Sequence, residues 1–221
     1  MSFRWDVIWR ELPQFGLGLA NSAWLSAVAM ALSLLLGPWL ALPLVSRRPA
    51  VRRAIRAVVD VARCLPFLLL AYFVYFALPE LGVRLDKWTA SLVTLTVYNT
   101  AYIAEIVRGA WAQLPAGQTE AARAVGFTGF RLVRRIVLPQ IALAAGPVFG
   151  NQLIQLIKDS AFLSIITVPE LTYAANAVQS FYFVPFESFA VATLLYWVLC
   201  GSVEQVVRWS EGRAQRIRYG T

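Results

Sequence analysis

The chain has 221 residues, of which 59% are hydrophobic and only 14% are charged, and its formal net charge is +8. A sequence so poor in charged residues cannot cover its own core with polar surface, which excludes a soluble domain, and its length allows several membrane spans of about 20 residues each. The absence of histidine excludes imidazole chemistry, and the two distant cysteines, Cys64 and Cys200, give no support to a disulfide framework or a metal site.

Five apolar runs follow one another along the chain and predict five transmembrane helices in an all-α membrane protein. The residues before the first run include Asp6 and Glu11, so they do not resemble a signal peptide. The first run is longer than one span requires, which indicates a tilted helix or one that begins at the membrane surface. The runs cover residues 15–46, 58–78, 88–107, 136–157 and 188–203.

A mixed segment, residues 158–187, separates the fourth run from the fifth, and Pro169 and Pro185 interrupt it. We expect a short helix or a re-entrant segment over residues 160–180. The alternative is a sixth span over residues 162–184, but this span would move the arginine-rich tail to the outer side.

The basic residues predict the orientation, because cytoplasmic loops of membrane proteins are enriched in lysine and arginine. Five spans divide these residues into fourteen on one side and four on the other. The sequence therefore predicts an outer N-terminus and a cytoplasmic C-terminus, and it explains the net charge by topology rather than by nucleic acid. The first side holds residues 47–56, 108–135 and the tail from Arg208, and the second holds Arg4, Arg10, Arg84 and Lys87.

The cytoplasmic stretch between the third and fourth runs predicts a short helix over residues 115–125. Pro115 suits the start of a helix, Glu120 and its neighbouring alanines favour the helical state, and Gly126 is a natural helix end. The residues alone also fit an ordinary amphipathic cytoplasmic loop. The alanines offer a smooth surface to which another protein could come close, and they are Ala121, Ala122 and Ala124.

The spacing of the stretch gives a more specific interpretation. Glu-Ala-Ala, then three residues, Gly, nine residues and Ile-x-Leu-Pro resembles the signature loop of binding-protein-dependent ABC transporter permeases, here over residues 115–139. In that family the loop forms a coupling helix that enters a cleft of the ATPase subunit, so the resemblance implies ATPase-coupling roles for Glu120, Ala121, Ala122 and Gly126. The full set of matching positions is Glu120, Ala121, Ala122, Gly126, Ile136, Leu138 and Pro139.

Three further segments resemble the polar amino-acid branch of these permeases: residues 101–109, 63–66 and 151–166. The chain departs from the usual pattern of the branch at four positions. Cys64 replaces a glycine, Phe67 replaces a leucine, and Ser160 and Ala161 stand where threonine and serine are usual. The resemblance covers residues 17–205, so residues 1–221 are interpreted as a single transmembrane permease domain.

The resemblance implies a permease subunit of an ATP-driven importer in the bacterial cytoplasmic membrane, carrying a polar amino acid. The chain has no Gly-x-x-x-x-Gly-Lys-Ser/Thr loop, so ATP and Mg are expected on a separate ATPase. The implied partners are a second permease subunit, identical or different, two ATPase subunits and an external solute-binding protein. The alternative is a secondary transporter or channel acting alone, although no inverted repeat is evident.

Polar residues at membrane depth are candidates for a solute path. Gln152, Gln155 and Asp159 share one face of the fourth predicted span, and Asn151 and Lys158 lie on an overlapping face. A polar stripe cannot face lipid, so we interpret it as part of the translocation path, with helix packing as the alternative. Its amides suit hydrogen bonds to a zwitterionic solute, and its two charged residues suit the charged ends.

Two earlier residues are further candidates for this path. Asn99 lies in the middle of the third predicted span, where its amide needs a neighbouring helix or a solute as a partner. Arg63 could either contact solute or pair with Asp60 one helical turn earlier. Glu105 and Arg108 have the same spacing, and we expect them to form a structural ion pair.

Overall fold

The computed structural model describes the backbone of residues 3–219 and the side chains of residues 3–209, and its regular elements are all helical. The side chains of Arg213, Arg216 and Arg218, which belong to the predicted basic tail, lie outside the described residues. The α-helices are α1 (Trp5–Leu44), α2 (Pro49–Cys64), α3 (Phe67–Tyr72), α4 (Lys87–Ala112), α5 (Ala116–Ala124), α6 (Gly129–Leu132), α7 (Leu138–Ser160), α8 (Leu171–Tyr182) and α9 (Pro185–Tyr219). Short π-helical or 3-10 turns extend α3 and flank α7, and they cover Phe73–Ala77, Leu78–Leu81, Val133–Val137 and Ala161–Ile166.

Within the described residues, four stretches of helix are long and apolar enough to cross a membrane, and a bent pair of helices can provide a fifth span. The predicted all-helical membrane class is therefore confirmed, and the structure supports four or five spans. The four stretches are Trp5–Leu44, Lys87–Ala112, Gly129–Ile166 and Pro185–Trp209.

The second predicted span, residues 58–78, is not one continuous helix. α2 ends at Cys64, and the helical segment Phe67–Leu81 continues at an angle of 99° to it. Pro66 explains the break, because a proline ring pushes the residue before it out of the helical region. Leu65 accordingly has an extended backbone, with φ −72° and ψ 135°.

The segment between the fourth and fifth predicted spans contains a short helix, as predicted. A 3-10 turn over Ala161–Ile166 ends at Thr167, which has a left-handed backbone with φ 60°, and α8 follows. At 1.5 Å per residue, the 12 residues of α8 extend only about 18 Å, less than a bilayer core of about 30 Å. The alternative of a sixth span over residues 162–184 is therefore wrong for this fold.

α1 packs along α4 through small side chains that let the two helices come close together. An added Cβ at Gly37 would clash with the side chain of Ile103 on α4, and Ser33 donates a hydrogen bond across the contact to the Thr96 carbonyl at 3.2 Å. Close packing of small residues is the usual basis of helix association in membranes. The buried small residues of α1 recur every three or four positions, and they are Gly18, Ser22, Ser26, Ala29, Ser33, Gly37 and Ala41.

The hydrophobic core consists of two clusters. The larger one joins the middle of α1 to α4 and α7, with Leu25, Leu95 and Leu156 nearly inaccessible to solvent. The smaller one joins the start of α1 to α8 and α9 around Phe15 and Leu171. These two clusters hold the polar side chains of α4 and α7, and the junction of α1 with α8, in fixed positions.

Candidate functional site

The predicted short helix is present as α5, and its end is built by Gly126. Gly126 has φ 84°, a left-handed conformation that glycine adopts without a steric penalty from Cβ. The N–H of Gly126 donates to the carbonyl of Arg123 at 3.0 Å, and the N–H of Phe127 donates to the carbonyl of Ala122 at 2.9 Å. This pair of hydrogen bonds is the Schellman arrangement that ends a helix sharply, so α5 is a short rod with a defined end.

The four predicted coupling residues do not all face outward. Glu120, Ala121 and Gly126 are exposed, but Ala122 is 6% exposed and packs into the core of its own chain. The smooth outer surface predicted from the alanines therefore does not include Ala122. The buried position of Ala122 instead anchors α5 to the rest of the chain.

The two halves of the signature loop lie side by side in the structure. A shallow groove of about 430 Å³ separates α5 from the beginning of α7, with Ala121 and Val125 on one wall and Ile136 and Pro139 on the other. The spacing of nine residues between the halves thus places the Glu-Ala-Ala helix against the Ile-x-Leu-Pro segment.

Asn99 and Gln152 meet across the contact between α4 and α7. The Gln152 Nε2 donates to Asn99 Oδ1 at 2.9 Å, and Asn99 Nδ2 contacts the sulfur of Met30 on α1 at 3.4 Å. Asn99 is fully buried. The amide pair therefore satisfies itself within the helix bundle, and Gln152, which is partly exposed, forms its accessible side.

The other polar residues of the predicted stripe on α7 make fewer hydrogen bonds than Asn99 and Gln152 do. Asp159 is 7% exposed, and its only hydrogen-bond partner among the described residues is Gln155, whose Nε2 donates to Oδ1 at 3.0 Å. Asn151 and Lys158 are exposed, and within the described chain neither forms a hydrogen bond or an ion pair. The structure thus brings together Asn99 with Gln152 and Gln155 with Asp159, but it leaves Asn151 and Lys158 apart from these pairs.

Arg63 lies beside the tyrosines of α4. Its guanidinium carbon is 5.4 Å from the centre of the Tyr102 ring, a cation–π distance, and Tyr102 Oη donates to the Arg63 carbonyl at 3.0 Å. The predicted pair with Asp60 is present at 3.8 Å. The Nε of Arg63 is buried and has no hydrogen-bond partner among the described residues, whereas the side chain as a whole is 34% exposed.

A pair of tyrosines that the sequence analysis did not select extends this arrangement along α4. The hydroxyls of Tyr98 and Tyr102 lie 3.2 Å apart and share a hydrogen bond. The ring of Tyr98 packs edge-on against Phe67, just after the break at Pro66, and Phe67 also contacts Phe162. The i, i+4 spacing of the two tyrosines, which places both on one face of α4, is the sequence feature that could have indicated this pair.

The predicted ion pair between Glu105 and Arg108 is present one turn further along α4. Two hydrogen bonds join them, from Arg108 Nε to Glu105 Oε2 at 2.8 Å and from Arg108 Nη2 to Glu105 Oε1 at 2.6 Å. Both side chains are about a quarter exposed. This pair is satisfied internally, in agreement with the structural role expected for it.

The sequence analysis also did not select Glu170, which carries a buried carboxylate. Glu170 is fully buried and caps the start of α8, accepting hydrogen bonds from the N–H groups of Thr172 at 2.8 Å and Tyr173 at 2.7 Å. It also accepts a hydrogen bond from Tyr196 Oη on α9 at 2.7 Å, and Ser22 Oγ on α1 lies 3.5 Å away. Its partners on α1 and α9 are too distant in sequence for any local pattern to indicate them.

The sequence model of one family, described as the binding-protein-dependent transport system inner membrane component, matches residues 14–216. The probable glutamine ABC transporter permease protein GlnM of Bacillus subtilis is 34% identical over 211 residues, covering 96% of this chain and 98% of that protein. The glutamine transport system permease protein GlnP of Escherichia coli is 29% identical over 215 residues, covering 96% and 98%.

Two solved structures of ABC transporters contain chains with a fold similar to that of this chain. A crystal structure of an amino acid ABC transporter with histidines has a TM-score of 0.87 and 28% identity, with 96% of this chain and all of that chain covered. An inward-facing structure of the MetNI methionine ABC transporter, at 21% identity and a TM-score of 0.71, supports the fold alone.

The family match covers most of the chain, and it decides against a secondary transporter or channel that acts alone. The chain is a multi-pass inner-membrane permease and not the ATPase. It belongs to the family of binding-protein-dependent transport system inner membrane components, as the permease subunit of an amino-acid ABC importer.

Proposed function

We propose that this permease imports a polar amino acid that an external solute-binding protein delivers, and that two separate ATPase subunits, which bind ATP and Mg, drive the transport. A second permease subunit, identical or different, completes the path across the membrane. The observation that carries the proposal is α5, a short and mostly exposed helix that follows a membrane span, contains the Glu-Ala-Ala triplet of the signature pattern and ends sharply at Gly126. The glutamine permeases among the relatives support a polar solute.

The proposed orientation has the N-terminus outside and the C-terminus in the cytoplasm. With five crossings, the arginine-rich residues 47–56 and 108–135 are cytoplasmic, and α5 is on the side where ATP is hydrolysed. The second crossing is made by the helical segment Phe67–Leu81, which the break at Pro66 turns by 99° away from α2.

We propose that α5 transmits motion from the ATPase to the spans. Glu120 and Ala121 form its exposed surface, and the buried Ala122 and the neighbouring Phe127 tie it to the core. A displacement of α5 by the ATPase would therefore move α4, which precedes it, and the segment of α6 and α7, which follows it, rather than deform a loose loop.

The proposed solute path lies along α4 and α7. It combines Gln152, which the buried Asn99 holds in place, and Gln155 and Asp159 with Arg63 at the end of α2, just before the break in the second apolar run. Asp159 is an anionic partner for the ammonium group of an amino acid, and the guanidinium group of Arg63, whose side chain is 34% exposed, is a cationic partner for its carboxylate. Tyr98 and Tyr102 line the α4 side between these two groups. The exposed Asn151 and Lys158 would contact the solute only during its entry or exit.

Two matched glycine variants test the coupling role of α5. Gly126→Ala places a Cβ in a left-handed conformation, which costs roughly 1–2 kcal/mol, although no atom within 4 Å would clash with it. We expect about tenfold weaker binding of the ATPase subunit and a matching loss of amino-acid uptake by reconstituted proteoliposomes. Gly117→Ala lies inside α5, also in open space, and should leave both unchanged because alanine favours the helix.

The two variants separate a coupling role from a general loss of structure. Both add the same methyl group to an exposed position, and only Gly126 requires a positive φ. Equal ATPase affinity and equal uptake for the two variants would contradict the proposal that the defined end of α5 is needed for docking.

A further inference from the structure

α2 has three different faces. Ile55 and Val59 pack against the bundle, and Val59 is 1% exposed. Next to this face runs a stripe of exposed apolar side chains at helical spacing, and the rest of the helix surface is basic. The apolar stripe is formed by Val51, Ala54, Val58, Val61 and Leu65, of which Val58 and Val61 are more than 60% exposed.

Within the described residues, Arg52, Arg53 and Arg56 on the basic face of α2 form no ion pair. Among the residues whose side chains are described, Arg52 and Arg53 each make one long hydrogen bond to a nearby backbone carbonyl, at 3.3 and 3.4 Å, and Arg56 makes none. In the described part of the chain, none of the arginines of residues 47–56 forms an ion pair. The one acidic residue of the helix, Asp60, is 3.8 Å from Arg63. Several guanidinium groups are therefore free to bind an external anion.

We propose that α2 is a binding surface for anionic phospholipids at the cytoplasmic face of the membrane. The valine stripe enters the boundary of the acyl chains, and Arg52, Arg53 and Arg56 bind the phosphate groups of the lipid heads. A helix with an exposed apolar stripe beside an arginine face is typical of helices that lie at this boundary, and each basic residue near the surface strengthens the attraction to anionic lipid.

A phospholipid accounts for both exposed surfaces at once. An acidic protein would match the arginines but would leave the valine stripe in water, and neutral lipid would cover the valines but would leave the guanidinium groups without anions. The inference goes beyond the transport of an amino acid, and it rests on the proposed orientation, which places α2 at the cytoplasmic face.

Lipid titration of the purified full-length chain tests the inference. The probes are phosphatidylglycerol and phosphatidylcholine of equal chain length, and bound lipid is counted by native mass spectrometry. We expect wild type to prefer phosphatidylglycerol, and Arg52→Gln/Arg56→Gln to weaken that binding about fivefold or more, with phosphatidylcholine unaffected. The control, Arg123→Gln/Arg131→Gln, removes two exposed charges outside α2 and should retain the preference.

A second variant pair tests the apolar stripe without changing charge. Val58→Asn/Val61→Asn should lower the amount of both lipids that is bound, while Val97→Asn, an exposed change on α4, should leave the amount of bound phosphatidylglycerol unchanged. The inference is overturned if wild type shows no preference, or if the two arginine pairs behave alike. It is also overturned if Arg52→Gln/Arg56→Gln loses the ATPase subunit but keeps its phosphatidylglycerol, because these arginines would then bind protein.

Discussion

Asp159 is the only acidic residue on the polar face of α7, and burial leaves it with one neutral partner, Gln155. A buried carboxylate is expensive unless a cation or several donors compensate it. Glu170 shows what full compensation looks like in the same chain, with two backbone donors and a tyrosine hydroxyl. Asp159 has fewer hydrogen-bond donors around its carboxylate than Glu170 has. We therefore propose that the ammonium group of the solute supplies the missing partner.

This reasoning predicts a specific effect of Asp159→Asn, which keeps the shape of the side chain and removes its charge. Loss of a charge-assisted hydrogen bond weakens an interaction by about 1.5–3 kcal/mol, so we expect the KM of amino-acid uptake to rise about tenfold or more. The affinity of the binding protein for the amino acid should not change. Proteoliposome uptake kinetics measure the effect, and Asp6→Asn, at an exposed site near the start of α1, is the control. An unchanged KM with a lowered thermal midpoint would assign Asp159 to packing instead.

For Glu170 we expect a substitution to lower the stability of the fold, whereas Asp159→Asn is expected to change the KM of uptake. Glu170→Ala would leave the two N–H groups at the start of α8 and the hydroxyl of Tyr196 without their acceptor in a buried position. We expect a loss on the order of 3 kcal/mol in the free energy of unfolding, measured by thermal unfolding in detergent. Glu170→Gln retains one acceptor oxygen and should lose less. Glu80→Ala, at an exposed site, should cause little change, and an equal effect of the two alanine variants would refute this role.

At the scale of elements, the close contact of α1 with α8 depends on Gly18. An added Cβ there would lie 2.9 Å from the Cα of Leu171 and 3.1 Å from the Cβ of Ala174, so the two helices would have to separate. We expect Gly18→Ala to destabilise the chain by about 1–3 kcal/mol, the usual range for overpacking. Gly16→Ala, two residues away with nothing within 4 Å of the new methyl group, should be neutral or slightly stabilising. The thermal unfolding midpoints of the two variants, measured side by side, test this expectation. Equal midpoints would contradict the claim that the close contact of α1 with α8 requires Gly18.

The sequence was sufficient for elements that depend on local chemistry. α4 and α5 lie where apolar periodicity and the proline and glycine signals predict them, because caps and breakers act within a few residues. The break at Pro66 had a local signal too, since a residue before proline avoids the helix, but the apolar run continued across it and the prediction followed hydropathy.

The candidate site was only partly predictable, because its pairings link residues distant in sequence. The structure pairs three of the polar residues selected on α7, Gln152 with Asn99 and Gln155 with Asp159, while their role in a solute path stays a prediction. The partner of Gln152 lies 53 positions away, and the hydroxyl bound to Glu170 lies 26 positions away. One sequence contains no information that joins such pairs, so the role of Glu170 required the fold.

For the whole molecule, the number of crossings decides the side of the membrane on which α5 lies. With an outer N-terminus, five crossings place residues 113–128 in the cytoplasm. If the bent segment Phe67–Leu81 returned to the side from which it came, four crossings would place them outside. The arginines favour five crossings, because the four-crossing arrangement would expose residues 108–135 on the outer surface. Whether α5 can reach a cytoplasmic ATPase therefore depends on whether the segment Phe67–Leu81 crosses the membrane.

Single cysteines on either side of α4 test this dependence in a background of Cys64→Ala and Cys200→Ala. Arg84→Cys precedes α4 and Gly117→Cys lies in α5, and both positions are exposed. We expect a membrane-impermeant maleimide to label Arg84→Cys in intact cells, and Gly117→Cys only after permeabilisation. The reverse pattern would show that Phe67–Leu81 does not cross or that the N-terminus is inside. In either case α5 could not reach a cytoplasmic ATPase, so one labelling experiment can refute both the orientation and the coupling role.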